Sequence, residues 1–264
     1  MRNLNSINYL MLKSIARLVI PNSNLAEVVE LEAKRKLGKL GGGESIALEV
    51  RTALQFLDKI ANAGPIIVFD VGANVGNYSH ELLTLRPDFR LVAFEPSSKA
   101  FNALKNRFVN HPNVSLVNAG LGSKEESADL HFEKAGSGLA SLTKRNLDHI
   151  DVAFNEFEVV SVLRGEDWVK KNNVVPTFVK IDVEGHELDV LLGFGELLSS
   201  MSLIQFEFGG CNIDSRTYMK DFWILLSPLF DIYRITPNGH QIISQYTENE
   251  ESFMTSNLIA VRKS

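Results

Sequence analysis

The chain has 264 residues, of which 45% are hydrophobic, so it can bury the core of one large domain, with or without an appendage. The net charge is −5 and no long basic run occurs, so the composition gives no reason to expect a nucleic-acid partner. Cys211 is the only cysteine, which excludes an internal disulfide and fits a reducing compartment. We therefore expect a cytoplasmic protein in which Cys211 is a packed thiol.

Residues 1–64 are predicted to form a helical extension that is separate from the rest of the chain. Its apolar stretch 7–20 contains Lys13 and Arg17 and no clean cleavage site, so we predict neither a transmembrane segment nor a signal peptide. We predict an amphipathic helix that packs on the protein body or on another subunit, with a membrane surface as the alternative. Further helices are predicted at 25–40 and 46–63. These helices could assemble a homo-oligomer.

From residue 65 to residue 264 the sequence predicts one α/β domain. Mostly apolar strands are predicted at 66–70, 90–95, 114–117, 177–182 and 203–208, helices at 97–109, 187–199 and 215–226, and two late strands, paired with each other, at 230–236 and 258–262. This alternation predicts a largely parallel sheet with helices on both faces. Two more strands, at 129–134 and 157–163, flank the Gly/Ser segment 136–142, which is either a surface loop or a lid over the substrate.

A glycine turn follows the first predicted strand and is typical of a nucleotide-cofactor site. Its pattern is D-x-G-x-x-x-G, from Asp70 through Gly72 to Gly76, with Asn74 between the glycines. A dinucleotide fingerprint is instead G-x-G-x-x-G. The carboxylate of Asp70 would repel a pyrophosphate and attract the ammonium group of S-adenosylmethionine. The spacing therefore favours S-adenosylmethionine over NAD.

Polar residues at the ends of the next strands extend this site, because ligands of open α/β sheets lie beyond the carboxyl ends of the strands. The second strand ends at Glu95-Pro96, where a carboxylate can accept both ribose hydroxyl hydrogens. The third strand leads to Gly120-Leu121, which we expect to pack against the adenine. The predicted cofactor-binding residues are Asp70, Gly72, Asn74, Gly76, Tyr78, Glu95, Pro96, Gly120, Leu121 and Asp182.

The fourth strand ends in a dense cluster of ionisable residues. Asp182 and Glu184 point the same way in an extended segment, and His186 follows two residues later. Close carboxylates raise one another's pKa, which is how a carboxylate becomes a useful base. We predict Asp182, Glu184, His186 and Glu207 as catalytic residues, with the general base among the first three. The alternative for His186 is a solvated position beside the next helix.

Glu207, near the end of the fifth strand, would lie beside Asp182 across neighbouring strand ends. Two such carboxylates could hold a magnesium ion together with waters and substrate oxygens. They could equally bind sugar hydroxyls, or Glu207 could hold the amine of the cofactor. These three interpretations stay open, and the metal ligands are unknown.

The chain resembles the FkbM-type S-adenosylmethionine-dependent methyltransferases. The resemblance lies in D-V-G-A-N-V-G-N-Y at 70–78, F-E-P at 94–96, G-L-A-S-L at 138–142, K-I-D-V-E-G-H-E at 180–187, Q-F-E-F at 205–208 and N-L-I-A at 257–260. It implies a Rossmann-like class I methyltransferase fold, with a seven-stranded sheet whose last strand is antiparallel. Ser123 departs from the pattern, since many relatives carry an acid after Leu-Gly, and residues 1–64 match nothing in it.

The resemblance implies O-methylation of a hydroxyl, often on a sugar or a natural product. We therefore interpret the chain as an O-methyltransferase that acts on a sugar, in polysaccharide or natural-product biosynthesis. One alternative is a nicotinamide-dependent oxidoreductase, in which Glu95 would also suit a ribose, although the glycine spacing counts against it. The other is a non-catalytic adenosyl-binding module, although such a module need not keep Glu95, Asp182 and Glu184.

Overall fold

The computed structural model describes residues 6–19, 22–40, 45–60 and 64–263. Their strands are β1 (Ile67–Val71), β2 (Arg90–Phe94), β3 (Val114–Val117), β4 (Gly120–Gly122), β5 (Glu126–Phe132), β6 (Glu156–Arg164), β7 (Phe178–Ile181), β8 (Leu203–Phe208), β9 (Phe230–Thr236), β10 (Gly239–Ile243) and β11 (Ser256–Arg262). Their α-helices are α1 (Ser6–Val19), α2 (Ser23–Lys36), α3 (Ile46–Leu57), α4 (Asn77–Leu85), α5 (Ser98–Arg107), α6 (Gly165–Asn172), α7 (Glu187–Phe194), α8 (Cys211–Ser215) and α9 (Met219–Leu226).

The main sheet has the order β10-β9-β11-β8-β7-β1-β2-β3. Strands β3, β2, β1, β7 and β8 pair in parallel, and β11 is antiparallel to both β8 and β9. The chain moves outward from β1 to β3 and then returns to the other side of β1, so the strand order switches between β1 and β7. This switch point is where open α/β sheets bind ligands.

The sheet is the predicted Rossmann-like, mostly parallel one, and the antiparallel late strand is confirmed. Within the described part of the chain it has eight strands and not seven, because β9 continues into the antiparallel hairpin strand β10. Gly239, at the start of β10, has a φ of +124°, a conformation that favours glycine and lets the chain reverse there. The second late strand, β11, pairs with β9 as predicted.

A small second sheet lies beside the switch point. Its order is β4-β6-β5, with β5 and β6 antiparallel to each other and β4 parallel to β6. The two predicted strands that flank the Gly/Ser segment are therefore a paired β5–β6 unit. The connection between β5 and β6 includes residues 136–145. We call these residues the roof segment because four of them line a cavity at the switch point.

Three other local predictions differ from the structure. The helix predicted at 187–199 leaves the α conformation at Gly195, whose φ is +53°. The helix predicted at 215–226 is two helices, α8 and α9, separated where Arg216 adopts a φ of +57°. The helix predicted at 97–109 is the shorter α5, which Ser97 precedes at the N-cap position without a capping hydrogen bond from its hydroxyl.

Helices cover both faces of the sheet. On one face α3 packs on α4 and on β8, β10 and β11, and Leu82 of α4 and Leu104 of α5 belong to the same core cluster. On the other face α7 and α9 contribute Phe194 and Phe222. Thus α3 is part of the core, and the predicted boundary at residue 64 falls between α3 and the sheet that it helps to cover.

We expect deletion of residues 1–64 to lower the free energy of unfolding by more than about 5 kcal/mol, because it empties the core positions of Val50, Ala53, Phe56 and Leu57. Deletion of residues 1–36 is the matched control. It removes α1 and α2, and α2 has no buried residue, so we expect a change of about 1 kcal/mol or less. Urea unfolding of both forms measures this difference. Equal stability of the two deletions would contradict the assignment of α3 to the core.

The two helices before α3 expose much of their apolar surface. In α1 Met11, Leu12 and Val19 are more than half exposed, and in α2 Val28 is 62% exposed. Across the described residues, no helix is both long and apolar enough to cross a membrane. Assembly of a homo-oligomer through these helices stays a prediction.

Candidate active site

A cavity of about 290 Å³ lies at the switch point, beyond the carboxyl ends of β1, β2 and β7. Its lining residues are Gly72, Asn74, Glu95, Pro96, Gly120, Leu121, Leu130, Ser137, Gly138, Ala140, Leu142, Val162, Asp182, Val183, Glu184, His186 and Glu207. All four predicted catalytic residues are among them, together with seven of the ten predicted cofactor-binding residues. Asp70, Gly76 and Tyr78 do not line this cavity.

The glycine turn is built for close packing of the backbone. Gly72 has a φ of +79°, and a Cβ there would lie 1.8 Å from the carbonyl oxygen of Asp182. Gly76 has a φ of +82°, and a Cβ there would meet Leu104 and Phe108. The glycines therefore let the turn approach the end of β7 and helix α5.

Asn74 lies between the two glycines with a φ of +48°, a left-handed conformation that asparagine tolerates better than most residues. Its backbone N–H donates to Oε2 of Glu95 at 2.7 Å. Its side-chain Oδ1 is buried and has no hydrogen-bond partner among the described residues. Because Asn74 lines the cavity, this oxygen is an acceptor available to a bound molecule.

Asp70 lies beneath the turn and not in the cavity wall. Its carboxylate is completely buried, receives a hydrogen bond from Ser79 at 2.5 Å and lies 3.4 Å from the ammonium group of Lys180. Lys180 also lies 3.2 Å from Asp182. Burial lowers the pKa of Lys180, but the charges of Asp182 and Asp70 outweigh this effect and raise it above the usual value. Lys180 therefore occupies the cationic position that the sequence analysis assigned to the cofactor's ammonium group.

A smaller cavity of about 160 Å³ adjoins the first one and shares Gly72, Asn74 and Asp182 with it. Tyr78 lines this second cavity. Its buried hydroxyl donates to Gln205 at 2.7 Å, and the amide of Gln205 donates to Glu49 of α3 at 2.9 Å. Helix α3 thus contributes directly to the surroundings of the glycine turn.

Glu95 faces the cavity from the end of β2, although the side chain is almost fully buried. Each carboxylate oxygen accepts one backbone N–H, from Asn74 at 2.7 Å and from Ser97 at 2.8 Å. Burial raises the pKa of Glu95 to about 7, against the opposite effect of these two hydrogen bonds. A carboxylate oxygen has more than one acceptor site, so Glu95 can still accept a ribose hydroxyl.

We expect E95Q to weaken binding of S-adenosylhomocysteine by about 10- to 100-fold, because hydrogen bonds to a charged acceptor are lost. The ionised carboxylate is the better acceptor, so binding to the unmodified chain should strengthen by up to about tenfold as the pH rises through 7, and E95Q should lose this dependence. Calorimetry between pH 6 and 8 measures both effects. E158Q, which removes a carboxylate outside the cavity, is the control, and equal affinities of the two variants would remove Glu95 from the binding site.

The four residues Asp182, Glu184, His186 and Glu207 form what we call the acidic wall. Glu184 has a φ of +54°, and this strained conformation directs its side chain to Arg145, whose Nη1 donates to Oε2 at 2.8 Å. Burial and then the charge of Asp182 raise the pKa of Glu184 to about 8, while Arg145 lowers it. Burial raises the pKa of Glu207 well above its usual value, and the charges of Asp182 and Glu184 add to the effect. No hydrogen bond or ion pair joins the Glu207 carboxylate to any residue in the described ranges.

Both ring nitrogens of His186 are engaged. Nδ1 lies 2.9 Å from Oδ2 of Asp189, and Nε2 lies 2.9 Å from the hydroxyl of Thr143. The pKa of Asp189 is lowered by its hydrogen bond to His186, so Asp189 is an ionised acceptor and Nδ1 carries the hydrogen. In the neutral ring Nε2 then carries the lone pair that can accept a proton, which is the arrangement of a histidine base oriented by a carboxylate.

The roof segment closes the cavity beside the glycine turn, where a Cβ on Gly138 would lie 3.3 Å from Nδ2 of Asn74. The four roof residues that line the cavity are Ser137, Gly138, Ala140 and Leu142. The Ser141 hydroxyl donates to the backbone carbonyl of Glu184 at 2.7 Å, and Thr143 contacts His186. These contacts support the lid interpretation of the Gly/Ser segment.

Sequence reasoning missed several residues of the site: Lys180, Asp189, Thr143 and Arg145. For Lys180 and Asp189 a local signal existed, since Lys180 shares a strand face with Asp182 and Asp189 is one helical turn from His186. Thr143 and Arg145 reach the site through the path of the roof segment, and no spacing in the sequence indicates this.

Among the described residues, the cluster of three metal-ligating side chains is not the all-oxygen set that magnesium prefers. The metal-ligating atoms of Glu184, Glu207 and Cys211 lie within 4.8 Å of one another. Magnesium prefers oxygen ligands, and burial together with nearby carboxylates raises the pKa of the Cys211 thiol. Asp182, which one of the three open interpretations places with Glu207 at a metal ion, pairs with Lys180. We assign no step to a metal.

The fold and the site define a Rossmann-like enzyme class whose ligand binds at the switch point of a mostly parallel sheet. Residues 70–229, more than half of the chain, match the family described as "Methyltransferase FkbM domain". The chain belongs to the FkbM methyltransferase family, and the resemblance found in its sequence is confirmed.

Three relatives carry names that indicate methyl transfer. The chain is 28% identical to the hexuronic acid methyltransferase AglP of Haloferax volcanii, over 52% of this chain and 54% of that protein. It is 23% identical to the 2-O-methyltransferase NoeI of Sinorhizobium fredii, over 70% of this chain and 80% of the relative. It is 26% identical to Methyltransferase 1 of Beauveria bassiana, over 53% of this chain and 65% of the relative. The chain thus spans little more than half the length of AglP.

Solved structures of methyltransferases are also similar to this chain. One is the O-methyltransferase from Bacillus cereus in complex with SAH, with 14% sequence identity and a TM-score of 0.45. The aligned region covers 95% of this chain and 96% of the Bacillus cereus chain.

Proposed function

We propose that this chain is an S-adenosylmethionine-dependent O-methyltransferase that acts on a sugar hydroxyl. The observation that carries the proposal is a single cavity that joins two kinds of wall. One end offers acceptors for a nucleoside, Glu95 and Asn74, and the other end is the acidic wall with a histidine oriented by Asp189. Membership of a methyltransferase family supports methyl transfer as the reaction.

The residues at the nucleoside end fit S-adenosylmethionine. Glu95 retains acceptor capacity for the ribose, Asn74 Oδ1 lacks a partner among the described residues, and Pro96, Gly120 and Leu121 supply a surface for the adenine. When bound, S-adenosylmethionine supplies a methyl group already activated by its sulfonium. The chain's remaining task is to place a hydroxyl in line with that methyl group and to remove its proton.

We propose that His186 is the general base. Nε2 accepts a hydrogen bond from Thr143, and a hydroxyl of the methyl acceptor that replaces Thr143 there would give its proton to the same nitrogen. Asp189 keeps the ring in the required tautomer and stabilises the imidazolium that forms. Glu184 and Glu207 then bind other hydroxyls of the acceptor, as carboxylates do in sugar recognition.

A sugar acceptor is supported by two relatives whose names include hexuronic acid methyl transfer and 2-O-methyl transfer. The carboxylates of the acidic wall can accept hydrogen bonds. A sugar would donate to them from several of its hydroxyls at once. Burial and nearby carboxylates disfavour negative charge in the acidic wall and raise the pKa of Glu184 and of Glu207, so neutral sugars suit it better than a carboxylated sugar such as a hexuronic acid.

Calorimetry with S-adenosylhomocysteine and with NAD, each with and without magnesium, tests the cofactor. Saturable binding of S-adenosylhomocysteine alone is expected, whereas binding of NAD would favour the oxidoreductase.

Methyl transfer to a panel of neutral, amino and uronic acid methyl glycosides tests the reaction. Cofactor binding without transfer to any of them would favour the non-catalytic adenosyl-binding module.

A further inference from the structure

Arg145 is the cation of a three-part junction at the edge of the cavity. Its side chain is only 10% exposed. Nη1 donates to Oε2 of Glu184 at 2.8 Å, and Nε lies 3.5 Å from Oδ2 of Asp214. The guanidinium thus bridges two carboxylates that belong to different segments, the turn before α7 and helix α8.

The junction ties the roof segment to the acidic wall. Arg145 ends the roof segment, and two further roof residues contact the same turn: Ser141 donates to the carbonyl of Glu184, and Thr143 contacts His186. Each of these three contacts ends on Glu184 or His186. The roof over the cavity and the position of the acidic wall therefore depend on one small set of bonds.

The conformation and charge of Glu184 both require a partner such as Arg145. Its left-handed backbone is uncommon for a residue with a side chain, and such conformations persist only where the surroundings enforce them. Removing one partner of a mostly buried ion pair leaves the other charge uncompensated. Without Arg145 the Glu184 carboxylate would lose the cation that holds it in the cavity wall.

We propose that Arg145 is a positioning residue that holds the roof segment on the acidic wall through Glu184 and thereby sets the affinity for the methyl acceptor. The effect on the acceptor rests on the proposed function, whereas the effect on the roof does not. Arg145 is absent from the residues that line the cavity, so it acts through Glu184 and not by touching the acceptor.

The ionisation of Glu184 provides a second signature. The titratable and charged groups near it, from every element that packs against it, are Asp182, His186, Glu187, Glu207, Cys211, Asp214 and Arg145. Only Arg145 among these is a permanent cation. Its removal would raise the pKa of Glu184 further, so the ionised form would be lost at a higher pH than in the unmodified chain.

The first test is hydrogen exchange of the full chain without added ligand, comparing R145M with K144M. K144M removes the same charge one residue earlier, at an exposed position. We expect the amides of residues 136–145 to exchange about tenfold faster in R145M and unchanged in K144M. Equal exchange in the two variants would overturn the proposal, whatever the chain's activity. If R145M does not fold, R145K replaces it and is expected to open the roof partly, because one ammonium cannot reach both carboxylates.

The second test measures methyl transfer to whichever methyl glycoside the unmodified chain accepts. In R145M we expect the acceptor KM to rise about tenfold with little change in kcat, and the acidic limb of the pH profile to move upward. In an E184Q background the same substitution should have little further effect, because the two residues act as a pair. A uniform fall in kcat with an unshifted pH profile would contradict the proposal. Failure of the unmodified chain to transfer methyl groups would contradict the proposed function alone.

Discussion

The K180M variant is expected to lose about 3–5 kcal/mol of unfolding free energy. Lys180 is the cation beside Asp70, whose carboxylate is completely buried, and both groups are held inside the sheet. Removing the ammonium leaves a buried negative charge with only Ser79 as a hydrogen-bond donor among the described residues. Urea unfolding followed by circular dichroism measures the loss.

Two further variants make this result specific. K170M removes a lysine that pairs with Glu166 but is 63% exposed, so its expected cost is at most about 1 kcal/mol. The double variant K180M/D70N removes both charges and should recover much of the stability lost in K180M. A K180M chain as stable as K170M would show that the Asp70–Lys180 pair contributes little to the fold.

The H186Q variant is expected to reduce kcat by about 10²- to 10⁴-fold while S-adenosylhomocysteine still binds. Glutamine can occupy much of the same space and can hydrogen-bond, but it cannot take a proton from a hydroxyl. The loss of rate should therefore appear in turnover and not in cofactor affinity. Steady-state kinetics together with calorimetry separates the two.

The control for this substitution is H149Q, because His149 is exposed and has no part in the cavity. D189N should also lower kcat, since an amide can present its N–H₂ to Nδ1 and favour the wrong tautomer. Full activity of H186Q would move the role of base to a carboxylate of the acidic wall. Full activity of D189N with an inactive H186Q would limit Asp189 to a structural role.

The order of polar residues along the chain predicted much of the site. Strand ends are local features, because an apolar run followed by an acid or a glycine marks the point where the chain leaves the sheet. In a parallel sheet these ends meet at one edge, so Gly72, Glu95, Asp182 and Glu207 converge on one cavity as expected from their positions alone. Which of them contact cofactor or acceptor stays a prediction.

Other predictions were incomplete because the decisive interaction is not local. The sequence predicts that Asp70 binds the ammonium group of the cofactor. In the structure the cation beside Asp70 is Lys180 of the neighbouring strand. The sequence predicts that α3 belongs to a separate extension. In the structure the apolar side of α3 is covered by the sheet. Periodicity shows that a face is apolar and does not show which surface covers it.

The sequence by itself determined the alternation of strands and helices, the glycine turn, the acids at the strand ends and the family, because each of these depends on residues a few positions apart. Only the tertiary structure decided the pairing of Lys180 with Asp70, the place of α3 in the core and the junction of Arg145 with Glu184. In each case the partners lie far apart in the chain and are selected by burial, since a charge or an apolar face removed from water must find its partner wherever the fold brings one.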